Sequence, residues 1–308
     1  MKGCDIHPNR YSKALLYILK LGLSAYIMWR IASKVSLENA LKGFLALPLS
    51  LILLLICLTA LRHTLQYFNW LNALRINPVF QENKKQVLVS YLIGLPLRFA
   101  LPGGHAAIGK IFYIANSSKI ASFWSTALER GFMTWACWSF AALATLFYYP
   151  EYSLLLRAGI FALCLLLPVI LYFALGSRKG WRYLQSPYKR QAPKLMSLQI
   201  ANTLITYLQY WLILNQFVPL SWWASSIRMS LTQFSNSIPI TIAGLGLRES
   251  FAIHFLRSAG IGAMQAVSAT LSLFIIQDVF PAVIGAVFLL KAKKASNYTH
   301  ANCNTNTR

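Results

Sequence analysis

The sequence predicts an all-α polytopic membrane protein of about six full spans plus two re-entrant helical hairpins, arranged as an inverted repeat with both termini cytoplasmic. Three observations predict it. The 308 residues are 57% hydrophobic and only 12% charged, against about 45–50% and about 25% in soluble domains. The charges are lopsided, with 29 Lys and Arg against 7 Asp and Glu, for a net charge of +22. The apolar residues fall in runs close to the ~20 residues that cross a ~30 Å hydrocarbon core. So strong a positive charge is often the footprint of nucleic-acid binding. A mean hydropathy of +0.52 excludes that class here, and excludes disorder with it.

Taken in order, residues 1–13 form a basic tail with Lys2, Arg10 and Lys13, and residues 14–290 form one transmembrane domain. Full spans are expected over 14–31, 45–61, 120–147, 154–175, 195–218 and 263–290. The first is read as a retained helix, because Lys20 interrupts it and no small-residue cleavage site follows. Residues 291–308 are a second basic tail. Two further apolar stretches, 86–118 and 222–258, are broken near their centres, by Pro102-Gly103-Gly104 and by Pro239 with Gly244 and Gly246.

Loop charges orient the spans. Seventeen basic residues fall in four segments: the N-terminal tail, the stretch from Arg62 to Lys85, the run from Arg178 to Lys194, and the C-terminal tail. All four belong on the cytoplasmic side. The opposite side holds Lys34 and Lys42, while 148–153 and 219–221 hold no basic residue. With that orientation, 86–118 must enter and leave from the cytoplasmic side, and 222–258 from the outer side. Each is therefore expected to be a hairpin of two half-helices. Their turns must be buried in protein or line a cavity, because non-helical backbone cannot face lipid. Two hairpins entering from opposite faces are the product of an inverted repeat.

Ionisable groups in hydrocarbon are costly and mark candidate sites. Here they are Arg98, His105 and Lys110 around the first break, Glu129 and Arg130 within the third expected span, Arg248 and Glu249 after the second break, and Asp278 in the last span. Arginine offers a planar fork of donors that suits phosphate oxygens. Half-helix N-termini after Gly104 and Gly246 would add free N–H groups. The alternative is that Glu129 and Glu249 neutralise their Arg neighbours and lock helices together. His63 and His254 are read as interfacial or core histidines, and Trp70, Trp222 and Trp223 as an interfacial belt. Gln209, Asn215, Gln233 and Asn236 either line a cavity or bond between helices. The five cysteines lack C-x-x-C spacing, and neither a metal set nor a nucleotide-binding loop is present in the sequence.

Ser237-Ile238-Pro239-Ile240 through Gly244-Leu245-Gly246-Leu247-Arg248-Glu249 resembles the P-x-S/T-x-x-G-x-G-x-R-E signature of the lysylphosphatidylglycerol synthase transmembrane, flippase-like domain family. Gly260, Pro281 and Gly285 fit its closing segment. Leu101-Pro102-Gly103 through Gly109-Lys110, then Glu129-Arg130, resembles its earlier blocks, and Leu61-Arg62 through Trp70 is similar to its R-W element. The chain departs from the pattern at Ala106-Ala107, where an acid is expected, and at Lys110, where Arg is usual; Glu129 or Asp278 would then supply the acid. The resemblance implies a stand-alone membrane domain without the soluble synthase domain, acting on lipids in a bacterial inner membrane without cofactor or metal. The expected partner is an anionic phospholipid or lipid-linked intermediate, not nucleic acid. Arg248, Arg98 and Lys110 would engage phosphate, with Glu249, Glu129, Arg130 and Asp278 around them. The favoured function is binding and translocation between leaflets, without catalysis. The alternatives are a headgroup transferase and a non-transporting partner of an envelope enzyme, and a homo-oligomer is also open.

Overall fold

A computed structural model describes residues 47–100, 102–114, 119–238 and 244–291. The expected first span, the tail at 1–13, most of the tail at 291–308, and Pro239 lie outside the described residues. Among those described, every regular element is helical. The α-helices are α1 (Leu49–Leu74), α2 (Lys84–Ala100), α3 (Lys119–Tyr148), α4 (Leu154–Ser177), α5 (Gln185–Leu214), α6 (Trp222–Phe234), α7 (Leu247–Arg257), α8 (Ala263–Phe274) and α9 (Phe280–Lys291). A 3-10 helix, Pro102–Tyr113, follows α2, and a π-helical turn, Ile275–Val279, joins α8 to α9. Among the described residues, four helical segments are long and apolar enough to cross a membrane: Leu49–Leu74, Ser122–Tyr148, Leu154–Ser177 and Ala263–Lys291.

Helix α1 shows how the sequence builds such a molecule. Pro48, which lacks an N–H, stands at its start. Its buried positions, Leu51, Leu55, Thr59, Arg62, Gln66, Asn69 and Ala73, recur every three or four residues and so share one face. Leu53, Leu54, Ile56, Leu61 and Phe68 are exposed. The inward stripe is thus more polar than the outward one, which reverses the pattern of a soluble helix. The same periodicity carries α1 beyond the expected end at residue 61. Arg62 is therefore not in a cytoplasmic loop: it is 9% exposed inside the bundle, which leaves sixteen residues in the orienting set.

Helix α5, expected as a span over 195–218, is 30 residues long but lies outside the four apolar segments. Gln191, Gln199, Asn202, Thr206 and Gln209 make its buried face polar, and that lowers its hydropathy. Helix α4 is the opposite case: of its residues only Pro168 and Leu175 are buried.

Both broken stretches fold as pairs of helices. In the first, the 3-10 helix turns back along α2: Ser90 Oγ donates to Lys110 O at 2.9 Å, and the Lys110 stem crosses Gly94. Pro102, Gly103 and Gly104 form the first turn of that 3-10 helix, so they do not precede it as a loop, and no half-helix starts after Gly104. In the second stretch, α6 is capped by Ser221, whose Oγ accepts from Ala224 N at 3.2 Å. Leu231 and Ile227 of α6 pack with Phe255 and Phe251 of α7.

Two large apolar cores result among the described residues, beside that smaller cluster between α6 and α7. One gathers Trp70, Leu74, Tyr91, Phe132, Trp135, Tyr188 and Leu195, around the α2 hairpin. The other gathers Leu51, Leu55, Tyr210, Ile213, Met229, Leu256 and Leu273, around the α6–α7 pair. The first uses the late part of α1 and the early part of α5, the second the reverse, so α1 and α5 run antiparallel. Arg62 on α1 and Asn202 on α5 fall between the two cores. Trp70 belongs to the first core and is fully buried, unlike Trp223, which is 51% exposed. The expected interfacial place for Trp70 is thus corrected: Lys110 sits over its ring.

Candidate functional site

A polar layer separates the two cores, and a cavity of about 370 Å³ opens in it. Four arginines line the cavity, each from a different helix: Arg62 of α1, Arg98 of α2, Arg130 of α3 and Arg248 of α7. Asp278, on the π-helical turn, is the one carboxylate among the lining residues. The wall therefore carries an excess of fixed positive charge. Walls of low polarisability strengthen such a field, because charges there are poorly screened.

Each arginine is held differently. Arg98, at the C-terminal end of α2, donates from Nη1 to Asp278 Oδ1 at 2.8 Å. Asp278 also lies in the field of Arg62 and Arg248. Arg248 donates to its neighbour Glu249 from Nη2 at 2.9 Å and from Nε at 3.2 Å. Its guanidinium stands 5.1 Å from the centre of the Phe274 ring.

Glu249 is 1% exposed and does not reach the cavity. Its second oxygen accepts from Gly246 N at 2.6 Å, so the carboxylate caps its own helix. The group that Glu249 occupies is the N–H of Gly246 itself, one residue before the N–H groups expected to receive a ligand. Gly246 takes φ +84° and Gly244 φ +78°, conformations that other residues adopt only under strain. A side chain at Gly244 would also meet Asn236 Oδ1 at 2.8 Å.

Lys110 and Glu129, both expected at the site, are together but elsewhere. Lys110 Nζ donates to Glu129 Oε2, and the ammonium lies 3.6 Å from the Trp70 ring centre. Neither lines the cavity. Glu129 therefore supplies the acid for Lys110, while its sequence neighbour Arg130 lies on the cavity wall. The pair joins the 3-10 helix to α3 in the first core.

The rest of the layer is a hydrogen-bonded seam. Gln209 of α5 donates to Leu55 O and Thr59 Oγ1 of α1, both at 2.9 Å, and accepts from Gln277 Nε2 at 2.5 Å. His63 Nε2 donates to Gln277 O at 3.1 Å, and its Nδ1 pairs with Tyr91 OH at 2.7 Å. His63 is thus a satisfied core histidine, while His254 is exposed. Of the four amides, Gln233 and Asn236 line the cavity and Gln209 bonds between helices. Asn215 accepts from Leu220 N at 3.0 Å in the turn after α5.

Sequence reasoning missed Arg62, Gln199, Asn202 and Thr206, all of which line the cavity. A signal was present. Thr59, Arg62, Gln66 and Asn69 continue the helical spacing of the apolar run, and Gln199, Asn202, Thr206 and Gln209 repeat it on α5. Among the described residues no group of His, Cys, Asp and Glu is arranged to hold a metal. No family model matches the chain, and no curated protein matches it.

Proposed function

We propose that this chain is a six-span protein of a bacterial inner membrane, with two re-entrant hairpins, that binds an anionic phosphate-bearing lipid headgroup and carries it between leaflets. The observation that carries the proposal is the arginine-rich cavity between the two cores. Four guanidinium groups and one carboxylate make a wall suited to a phosphate group. The apolar outer faces of α1 and α4 would leave acyl chains in lipid while the headgroup crosses through the polar layer. The alignment of Arg248 and Glu249 with the flippase-like signature supports the same substrate class. The sequence carries no nucleotide-binding loop, so the motion is passive, coupled to a gradient, or driven by a partner.

The test is leaflet-resolved scrambling of a labelled anionic phospholipid in proteoliposomes. Wild type should accelerate exchange and Arg248→Ala should lose most of that acceleration. Equal rates for the two would overturn the proposal.

A further inference from the structure

Arg62 differs from the other arginines of the cavity. Its Nε and Nη1 are buried without a hydrogen-bond partner among the described residues, and the residue is 9% exposed. Two amides of α5 share this condition: Gln199, 2% exposed, through Nε2, and Asn202, 8% exposed, through Oδ1. All three line the cavity. The bond from Gln209 to Thr59 sets the register of the antiparallel pair. Arg62 is one turn beyond Thr59 on α1, while Asn202 and Gln199 are two and about three turns before Gln209 on α5. Arg62 therefore lies opposite Thr206, with Asn202 about one turn and Gln199 about two turns further along the α1–α5 seam.

Buried polar atoms are normally paired, and a charged donor left unpaired is the costliest kind. The Arg98 guanidinium is tied to Asp278, and that of Arg248 to Glu249. Asp278, whose field reaches Arg62, gives its hydrogen bond to Arg98 instead. Four unmade hydrogen bonds thus belong to residues that line one cavity, and their polarity defines what completes them. Nε and Nη1 of Arg62 lie on different edges of the planar guanidinium, so each offers a separate charge-assisted hydrogen bond to an anionic oxygen, as a phosphoryl group supplies. Gln199 Nε2 adds a neutral donor to the same group. Asn202 Oδ1 is an acceptor and requires a hydroxyl or amine.

We propose that Arg62, Gln199 and Asn202 form a phosphoryl subsite, selective for a phosphate ester that carries a hydroxyl or amine beside the phosphate. The proposal rests on the anionic-headgroup function above and narrows its substrate class. Such an ester is offered either by a lipid headgroup or by a soluble molecule, and the two are separable.

The full chain in phosphatidylcholine nanodiscs is titrated with short-chain phosphatidylglycerol and, in parallel, with glycerol 3-phosphate. Arg62→Gln should weaken lipid binding about tenfold or more, as expected for loss of a charge-assisted bond. Arg62→Lys, which keeps the charge but not the planar set of donors, and Gln199→Leu should each weaken it about threefold. The same ranking with glycerol 3-phosphate assigns the subsite to the ester itself; a ranking seen with the lipid alone assigns it to a membrane-held headgroup. If Arg62→Gln does not fold, as judged by its melting temperature, Gln199→Leu and Asn202→Leu decide the matter. Wild-type affinity in the seam variants, with affinity lost in Arg248→Ala, overturns the subsite and leaves the headgroup function standing. Wild-type affinity in Arg248→Ala as well overturns both.

Discussion

Two of the ion pairs within the bundle, each joining a basic side chain to a carboxylate on another element, stand in different surroundings. Lys110–Glu129 is sealed in the first core, with side chains 7% and 9% exposed and the ammonium against Trp70. Arg98–Asp278 stands on the cavity wall, at 33% and 13%. The sealed pair has nothing left to offer a ligand. Two further arginines lie in the field of the open pair's carboxylate, and an incoming anion would compete with that carboxylate for Arg98. The comparison teaches that a charge in an apolar stretch marks polarity inside the bundle, and that only its position relative to the cavity makes it a candidate for function.

The largest expected effect separates the pairs by stability. Glu129→Ala leaves a buried ammonium unpaired and should cost about 3–5 kcal/mol, read as thermal unfolding in detergent. Gly285→Ala approaches the open pair from behind. A Cβ there would run into Leu92 O and come within 2.7 Å of Pro96 Cδ. Forcing α9 off α2 should cost about 1–3 kcal/mol and weaken anion binding through the displaced Arg98–Asp278 contact. Asp278→Asn should cost no more than about 1 kcal/mol, since the pair is partly exposed. It should tighten phosphatidylglycerol binding in nanodiscs, because Arg98 is released from a competing carboxylate; weaker binding would contradict the competition. The smallest effect is expected of the double variant Lys110→Met with Glu129→Leu. It should melt within about 1 kcal/mol of wild type or above it, with scrambling unchanged. Loss of scrambling in a stable double variant would erase the distinction between the pairs.

The helical class and the apolar segments were legible because lipid exposure demands long apolar faces, as the outer residues of α4 show. The breaks at Pro102 and Gly244–Gly246 were legible because those residues do not continue a helix easily. Arg248, Arg98 and Asp278 stood out as charges in apolar surroundings. What hydropathy hides is the inward face. Averaged along α1, Arg62 reads as the end of a span; taken by helical period, it continues the buried stripe of Thr59 and Gln66. The acid missing at Ala106-Ala107 falls to Glu129 or Asp278 in the sequence, and packing of the 3-10 helix against α3 pairs Lys110 with Glu129. Sequence spacing carries no record of that contact.

The π-helical turn at Ile275–Val279 has a consequence for the last membrane segment as a whole. One residue more than an α-helix would hold is wound into this turn, which rotates everything after it by about 100°. Before the turn, Ala266, Ala269 and Leu273 contribute to the core that holds the second hairpin. After it, Gly285 lies against Leu92 and Pro96 of the first. One continuous helix thereby presents a different side to each half of the molecule, with Asp278 at the joint. Deleting a single residue there would unwind the offset and turn Gly285 away from α2. The helix would stay intact, but the two halves would no longer be held in phase.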